Sequence, residues 1–165
     1  MQKILVSACL LGEPVRYNGA DKFCDHELLQ QWIRDGRVVP VCPEIAGGLG
    51  VPRLPAEIVN GTGGPSVLAG EGQVIDSDGR DVSINFIDGA RHALELARMS
   101  DIRVAVLKEG SPSCGSSYTY DGTFTSTRVP HPGVTAALLR QNGIRVFSET
   151  QVAEADAFVK ELETR

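Results

Sequence analysis

Four short, uninterrupted apolar runs constrain this chain more than any other feature: Lys3–Ser7 (KILVS), Arg37–Val41 (RVVPV), Arg103–Leu107 (RVAVL) and Ile144–Phe147 (IRVF). A strand with one wet face alternates apolar and polar residues, whereas a continuous run is what a strand covered on both faces requires. Helical patterns lie between the runs. Asp25–Arg34 puts Leu28, Leu29, Trp32 and Ile33 on one stripe and stops at Asp35-Gly36. Ser83–Met99 repeats Ile84, Ile87, Ala90, Leu94 and Ala97 at helical spacing, with Asp81 or Ser83 as the cap. Gly133–Gln141 ends at Asn142-Gly143, and Gln151–Leu162 is amphipathic through Val152, Ala155, Phe158, Val159 and Leu162. This alternation predicts an α/β fold, an open and mainly parallel sheet with flanking helices and right-handed crossovers. Pro40 weakens the second strand because proline cannot donate to a ladder. Trp32 and the region of Met99 read as core.

Two segments break the rhythm and are expected to be β-hairpin insertions. In Asn60–Asp81, Val67-Leu68 and Val74-Ile75 flank Gly70-Glu71-Gly72; in Ser117–Thr127, Tyr118, Tyr120 and Phe124 surround an Asp121-Gly122 turn. With 165 residues the chain is expected to be a single domain, 1–165, with enough core to fold without disulfides or metal. The 16 Lys and Arg against 21 Asp and Glu leave a net charge of −5, which argues against coating a polymeric nucleic acid by phosphate neutralisation. Val6-Ser7-Ala8-Cys9 resembles a lipoprotein processing box, but the apolar stretch before it falls short of the roughly 7–15 residues of a secretory signal. No run approaches the roughly 20 apolar residues of a membrane span. A cytoplasmic protein without membrane partners is expected.

In a reducing compartment the four cysteines point to metal binding, catalysis or burial before they point to disulfides, and no pairing is favoured by their spacing. Cys9, Cys42 and Cys114 each follow a strand run. In an open parallel sheet, the loops beyond the carboxyl ends of the strands line the binding crevice. Cys24 begins a helical pattern and has no strand to place it, so the cysteines divide three plus one. Three thiolates do not complete a zinc site, which takes four ligands and often uses C-x₂₋₄-C pairs. No CxxC exists, and His26, His92 and His131 stand beside none of the strand-end cysteines. A cubane iron–sulfur cluster usually takes four cysteines; held by three, it leaves one iron open to substrate. Burial as inert thiols is the competing reading. Around each strand-end cysteine, however, lie Gly, Pro and Ser, which let backbone amides approach a ligand.

At these residues the chain closely resembles the thiouracil desulfidase family. Four blocks carry the resemblance: SACLLGEPVRYNG (7–19), CPEIAGGLGVPRLPAEI (42–58), LKEGSPSCGSSYTYDGTF (107–124) and GVTAALLRQNGIRVFSE (133–149). It implies a [4Fe-4S] cluster held by Cys9, Cys42 and Cys114, with one open iron that takes the sulfur of a small thiolated pyrimidine such as thiouracil. The implied chemistry is non-redox desulfuration, with Lewis-acid polarisation of the C=S carbon and general-base activation of water. Glu44 is the first choice for the base; the alternative is a carboxylate that accepts amides of the glycine-rich loop after it. Ser111 and Ser113 either position the water or cap the turn around Pro112. Arg16, Asn18 and Arg53 are candidates for substrate contact and Tyr17 for stacking on a base, although an arginine could instead tie a loop to a carboxylate such as Asp21. Lys108 either offsets the charge of the cluster or is a surface lysine. Competing functional classes are a cluster-bearing sulfur carrier or redox sensor without turnover, and a zinc-bound or thiol-only enzyme.

Overall fold

A computed structural model of the chain describes residues Met1–Arg165. The strands are β1 (Ile4–Ser7), β2 (Val38–Val41), β3 (Ala56–Ile58), β4 (Val74–Asp76), β5 (Val104–Leu107), β6 (Thr119–Tyr120), β7 (Arg128–Val129) and β8 (Arg145–Ser148). The helices are α1 (Glu27–Arg34), α2 (Pro43–Ala46), α3 (Gly63–Leu68), α4 (Ser83–Met99), α5 (Val134–Gln141) and α6 (Val152–Glu163). The four apolar runs form one parallel sheet in the order β2-β1-β5-β8. Pro40 lies on the edge strand β2, where a missing donor is tolerated.

Each strand feeds two cores. Leu5, Ala105 and Leu107 pack with Ala93, Leu94, Ala97, Ala136 and Leu139 of α4 and α5. Ile4, Val6, Val104 and Val106 face the other way, onto Leu29 and Trp32 of α1 and Val152, Ala155 and Val159 of α6. This two-sided burial is why the runs are continuous. No helix is long and apolar enough to cross a membrane.

Several details differ from the sequence reading. Ile84 is 74% and Met99 75% exposed, so neither belongs to the core. The buried face of α4 keeps Ala90, Leu94 and Ala97 of the expected stripe and adds Phe86, Gly89 and Ala93. Neither Asp81 nor Ser83 is the cap of α4, which is Val82; Asp81, just before it, accepts from the Ser83 amide at 2.9 Å, while the Ser83 hydroxyl accepts from the Val74 amide at 2.8 Å. The first insertion is not a hairpin about Gly70-Glu71-Gly72. Val67 and Leu68 end α3, Val67 buried in a cluster with Ile58, Val74 and Phe86, and β4 pairs antiparallel with β3, Ala56 opposite Asp76. In the second insertion β6 pairs antiparallel with β7, but Asp121-Gly122 only opens a longer loop that runs to Thr127.

Candidate active site

The carboxyl ends of β1, β2 and β5 open into one cavity of about 500 Å³. Cys9 lies in the 3-10 turn Ala8–Leu11 after β1, Cys42 is the residue that caps α2 after β2, and Cys114 lies in the loop after β5. All three line the cavity, and all four cysteines are free thiols. Cys24 does not line it; its amide donates to the Leu10 carbonyl at 2.9 Å and it packs at the edge of the core beneath α1.

Burial dominates the thiols. It pushes Cys9 up to about 11, helped by the neighbouring Cys42 and opposed by Arg16 and Lys108. Burial likewise pushes Cys114 up to about 12, against hydrogen bonds from Ser113 and Ser7, and it raises Cys42. At neutral pH these groups are protonated unless a bound cation stabilises the thiolates. No three His, Cys, Asp or Glu side chains converge on a point that would hold a lone metal ion. By the chemistry of the donors, three thiols lining one cavity fit a metal–sulfur group, which takes soft sulfur ligands.

Beside the thiols stands a connected polar chain. Glu44 lies in the first turn of α2, and its Oε2 accepts from Arg53 Nε at 3.0 Å and from Arg53 Nη2. Arg53 also donates to the carbonyls of Gly50 and Val15, both at 3.0 Å, so every guanidinium nitrogen is engaged. The pair is well covered, the side chains 9% and 14% exposed. The other Glu44 oxygen, Oε1, accepts from Ser113 Oγ at 3.3 Å, and that hydroxyl is also 3.4 Å from Cys114 Sγ. Ser111 Oγ lies 2.8 Å from Ser113 Oγ and accepts from the amides of Ser113 and Cys114, both at 3.0 Å. With its lone pairs thus filled, Ser111 gives its proton to Ser113, which leaves Ser113 free to donate to Glu44 or to the Cys114 sulfur.

Arg16, Tyr17 and Lys108 also line the cavity. The Arg16 guanidinium lies 5.8 Å from the Tyr17 ring centre and forms no ion pair, while Lys108 Nζ donates to the Glu109 carbonyl at 2.9 Å and pairs with Glu149 at 3.2 Å. Asn18 does not line the cavity; its Oδ1 accepts from the Ala20 amide at 3.0 Å and shapes the loop. Asp21 takes no arginine and accepts from the Phe23 amide at 3.0 Å. Sequence reasoning missed Glu109, Phe86 and the cavity role of Tyr118. Glu109 could have been suspected only as an acid followed by a Ser-rich loop; Phe86 carries no signal that separates it from other core residues.

The family model for 2-thiouracil desulfurase matches residues 4–151. YbbK of Bacillus subtilis (strain 168), described as uncharacterized, is 42% identical over 149 residues, which cover 90% of this chain and 97% of that protein. The solved structure of the [4Fe-4S]-dependent thiouracil desulfidase TudS is 44% identical and superimposes with a TM-score of 0.88, covering 97% of this chain and 99% of that one.

Proposed function

This chain belongs to the 2-thiouracil desulfurase family, and from that premise we propose that it is a [4Fe-4S]-dependent enzyme that replaces the sulfur of a thiouracil-like pyrimidine with oxygen. The observation that carries the reading is the meeting of three strand-end thiols, Cys9, Cys42 and Cys114, in one cavity beside Glu44. These three are the ligands, and the whole chain, 1–165, acts as one catalytic domain. Four free thiols fit a reducing cytoplasm.

Overall, C=S and water give C=O and hydrogen sulfide, with no change of oxidation state at carbon. When bound, the cluster supplies a soft Lewis-acid iron, unligated by protein, for the substrate sulfur. The protein's own groups handle the proton. Glu44 Oε1 takes one proton from the attacking water and passes it to the departing sulfur, then relays the second proton from the new hydroxyl as the C=O forms, so that sulfur leaves as hydrogen sulfide. Arg53 fixes the other oxygen and so orients the carboxylate, and Ser111 and Ser113 hold the hydroxyl chain that positions the water. Tyr17 and Arg16 contact the pyrimidine from the cavity wall, and Lys108, which also lines the cavity, offsets negative charge.

Anaerobic reconstitution should give about four irons per chain. Binding should fail in Cys9→Ala, Cys42→Ala and Cys114→Ala and survive in Cys24→Ala; a requirement for Cys24 would overturn the ligand set. Glu44→Gln should keep its iron but release no sulfide from 2-thiouracil. Normal turnover in that variant would remove Glu44 from the reaction, and an iron-loaded wild type without turnover would favour a carrier or sensor.

A further inference from the structure

One carboxylate that lines the cavity has no part in the chemistry above, yet it is the most heavily bonded acid in the molecule. Glu109 Oε1 accepts from the amides of Ser116 at 2.6 Å and Ser117 at 3.0 Å, and Oε2 accepts from their hydroxyls at 2.6 and 2.8 Å. The amides of Gly110 at 3.4 Å and Tyr118 at 3.5 Å add longer contacts to Oε1, so donors of the loop itself surround both oxygens and commit the carboxylate to holding that loop. Burial alone would raise the Glu109 carboxyl, but the Ser116 and Ser117 donors hold it below the usual range. Glu109 is itself fixed, since its amide donates to Glu149 Oε2 at 2.8 Å.

The geometry closes a ring around the working residues. Glu109 stands at the start of the loop and Ser116-Ser117 at its end, so the carboxylate joins the two feet of a segment that carries Ser111, Ser113 and Cys114. The opposite side rests on the amino end of α5, where Thr135 and Ala136 donate to the Ser113 carbonyl at 2.9 and 3.1 Å. Arg140 adds a bond to the Ser116 carbonyl at 2.6 Å. We infer that Glu109 is a positioning residue, a clasp that sets the place of Cys114 and of the Ser111–Ser113 hydroxyls. The assignment rests on the proposed ligand role of Cys114, but the mechanical claim can be read without metal.

In the metal-free chain Cys114 is buried, so its alkylation by iodoacetamide requires the loop to open. Peptide-resolved mass spectrometry of native protein follows each cysteine separately. Glu109→Gln keeps the shape but replaces one acceptor oxygen with a donor, and it should speed labelling of Cys114 by about tenfold or more while Cys9 and Cys42 label as in wild type. The double variant Ser116→Ala/Ser117→Ala keeps the backbone bonds and should show a smaller change of the same pattern; it carries the test if Glu109→Gln does not fold. After reconstitution, the electron paramagnetic resonance spectrum of the dithionite-reduced cluster should be altered in Glu109→Gln, with fewer irons per chain. Unchanged Cys114 labelling together with a wild-type spectrum would overturn the clasp, as would equal acceleration at all three cysteines. A wild type that takes up no iron would sink the proposed function and leave the labelling result to decide the clasp alone.

Discussion

At the scale of single residues, the pairing of Arg53 with Glu44 decides what each can do. A guanidinium that gives all three nitrogens to Glu44, Gly50 and Val15 has little left for a ligand. In the proposed reaction its part is to hold a carboxylate, and that separates it from a substrate contact by a kinetic criterion. Loss of a substrate contact raises KM, whereas loss of a group that orients the base lowers kcat. Arg53→Lys keeps a charge but not the planar fork, and should lower kcat by about tenfold or more with KM nearly unmoved. Iron content should match wild type. Arg53→Ala leaves a covered carboxylate without its partner, which costs about 3–5 kcal/mol, a large share of the roughly 5–15 kcal/mol that holds a domain together. Steady-state kinetics with 2-thiouracil and urea titrations separate the two effects. A raised KM with unchanged kcat in Arg53→Lys would return the residue to substrate binding.

At the scale of elements, the cavity depends on α2, a helix of four residues that has no stability of its own. It is held by α4. A Cβ on Gly89 would overlap the carbonyl oxygen of Pro43, and one on Gly47 would overlap the carbonyl of Asn85, whose side-chain amide donates to the Gly47 carbonyl at 2.8 Å. In an exposed helix, Gly→Ala stabilises by about 1 kcal/mol. Here the sign should reverse, because backbone cannot rotate away as a side chain can. Gly89→Ala should cost about 1–3 kcal/mol and, by displacing the helix that carries Cys42 and Glu44, should lower iron retention. Thermal unfolding and iron analysis check both, and a raised Tm would show that the contact is not tight. The same contact explains what could be read in advance. The bounds of α4 and part of its buried face, Ala90, Leu94 and Ala97, were legible from periodicity, but not Gly89 and Ala93, because glycine and alanine carry little hydropathy signal, and Ile84, which carries much, stays in solvent. Val67-Leu68 looked like a strand because a short apolar run has the same appearance in a brief helix.

Across the whole molecule, legibility followed the sheet. Strand ends fix where Cys9, Cys42 and Cys114 fall, so their grouping could be read from position alone. The bond from Ser113 to Glu44 spans 69 residues and the clasp of Glu109 joins feet seven and eight residues apart; neither follows a period, so both needed coordinates. The molecule also separates its chemistry from one of its fastenings. Far from the cavity, Asp156 on α6 accepts from Trp32 Nε1 at 2.9 Å and pairs with Lys160 at 2.9 Å. Burial would raise Asp156, but the hydrogen bonds from Lys160 and Trp32, with the charges of Lys160 and Arg37, hold it below the usual carboxylate range. A group whose folded value is depressed contributes stability that is fully present above its unfolded value, about 3.9 for Asp, and that is lost as pH falls through the folded value. In that window the unfolded chain binds more protons, so acid favours unfolding. Asp156→Asn cannot titrate. It should be less stable than wild type at neutral pH by about 1.5–3 kcal/mol, the worth of a charge-assisted bond, and the two should converge as pH drops below about 4. Urea unfolding of the cluster-free chains across a pH series measures the gap directly. A gap that stays constant from neutral to acid pH would mean that the α1–α6 joint is held by packing, with the Asp156 charge contributing nothing.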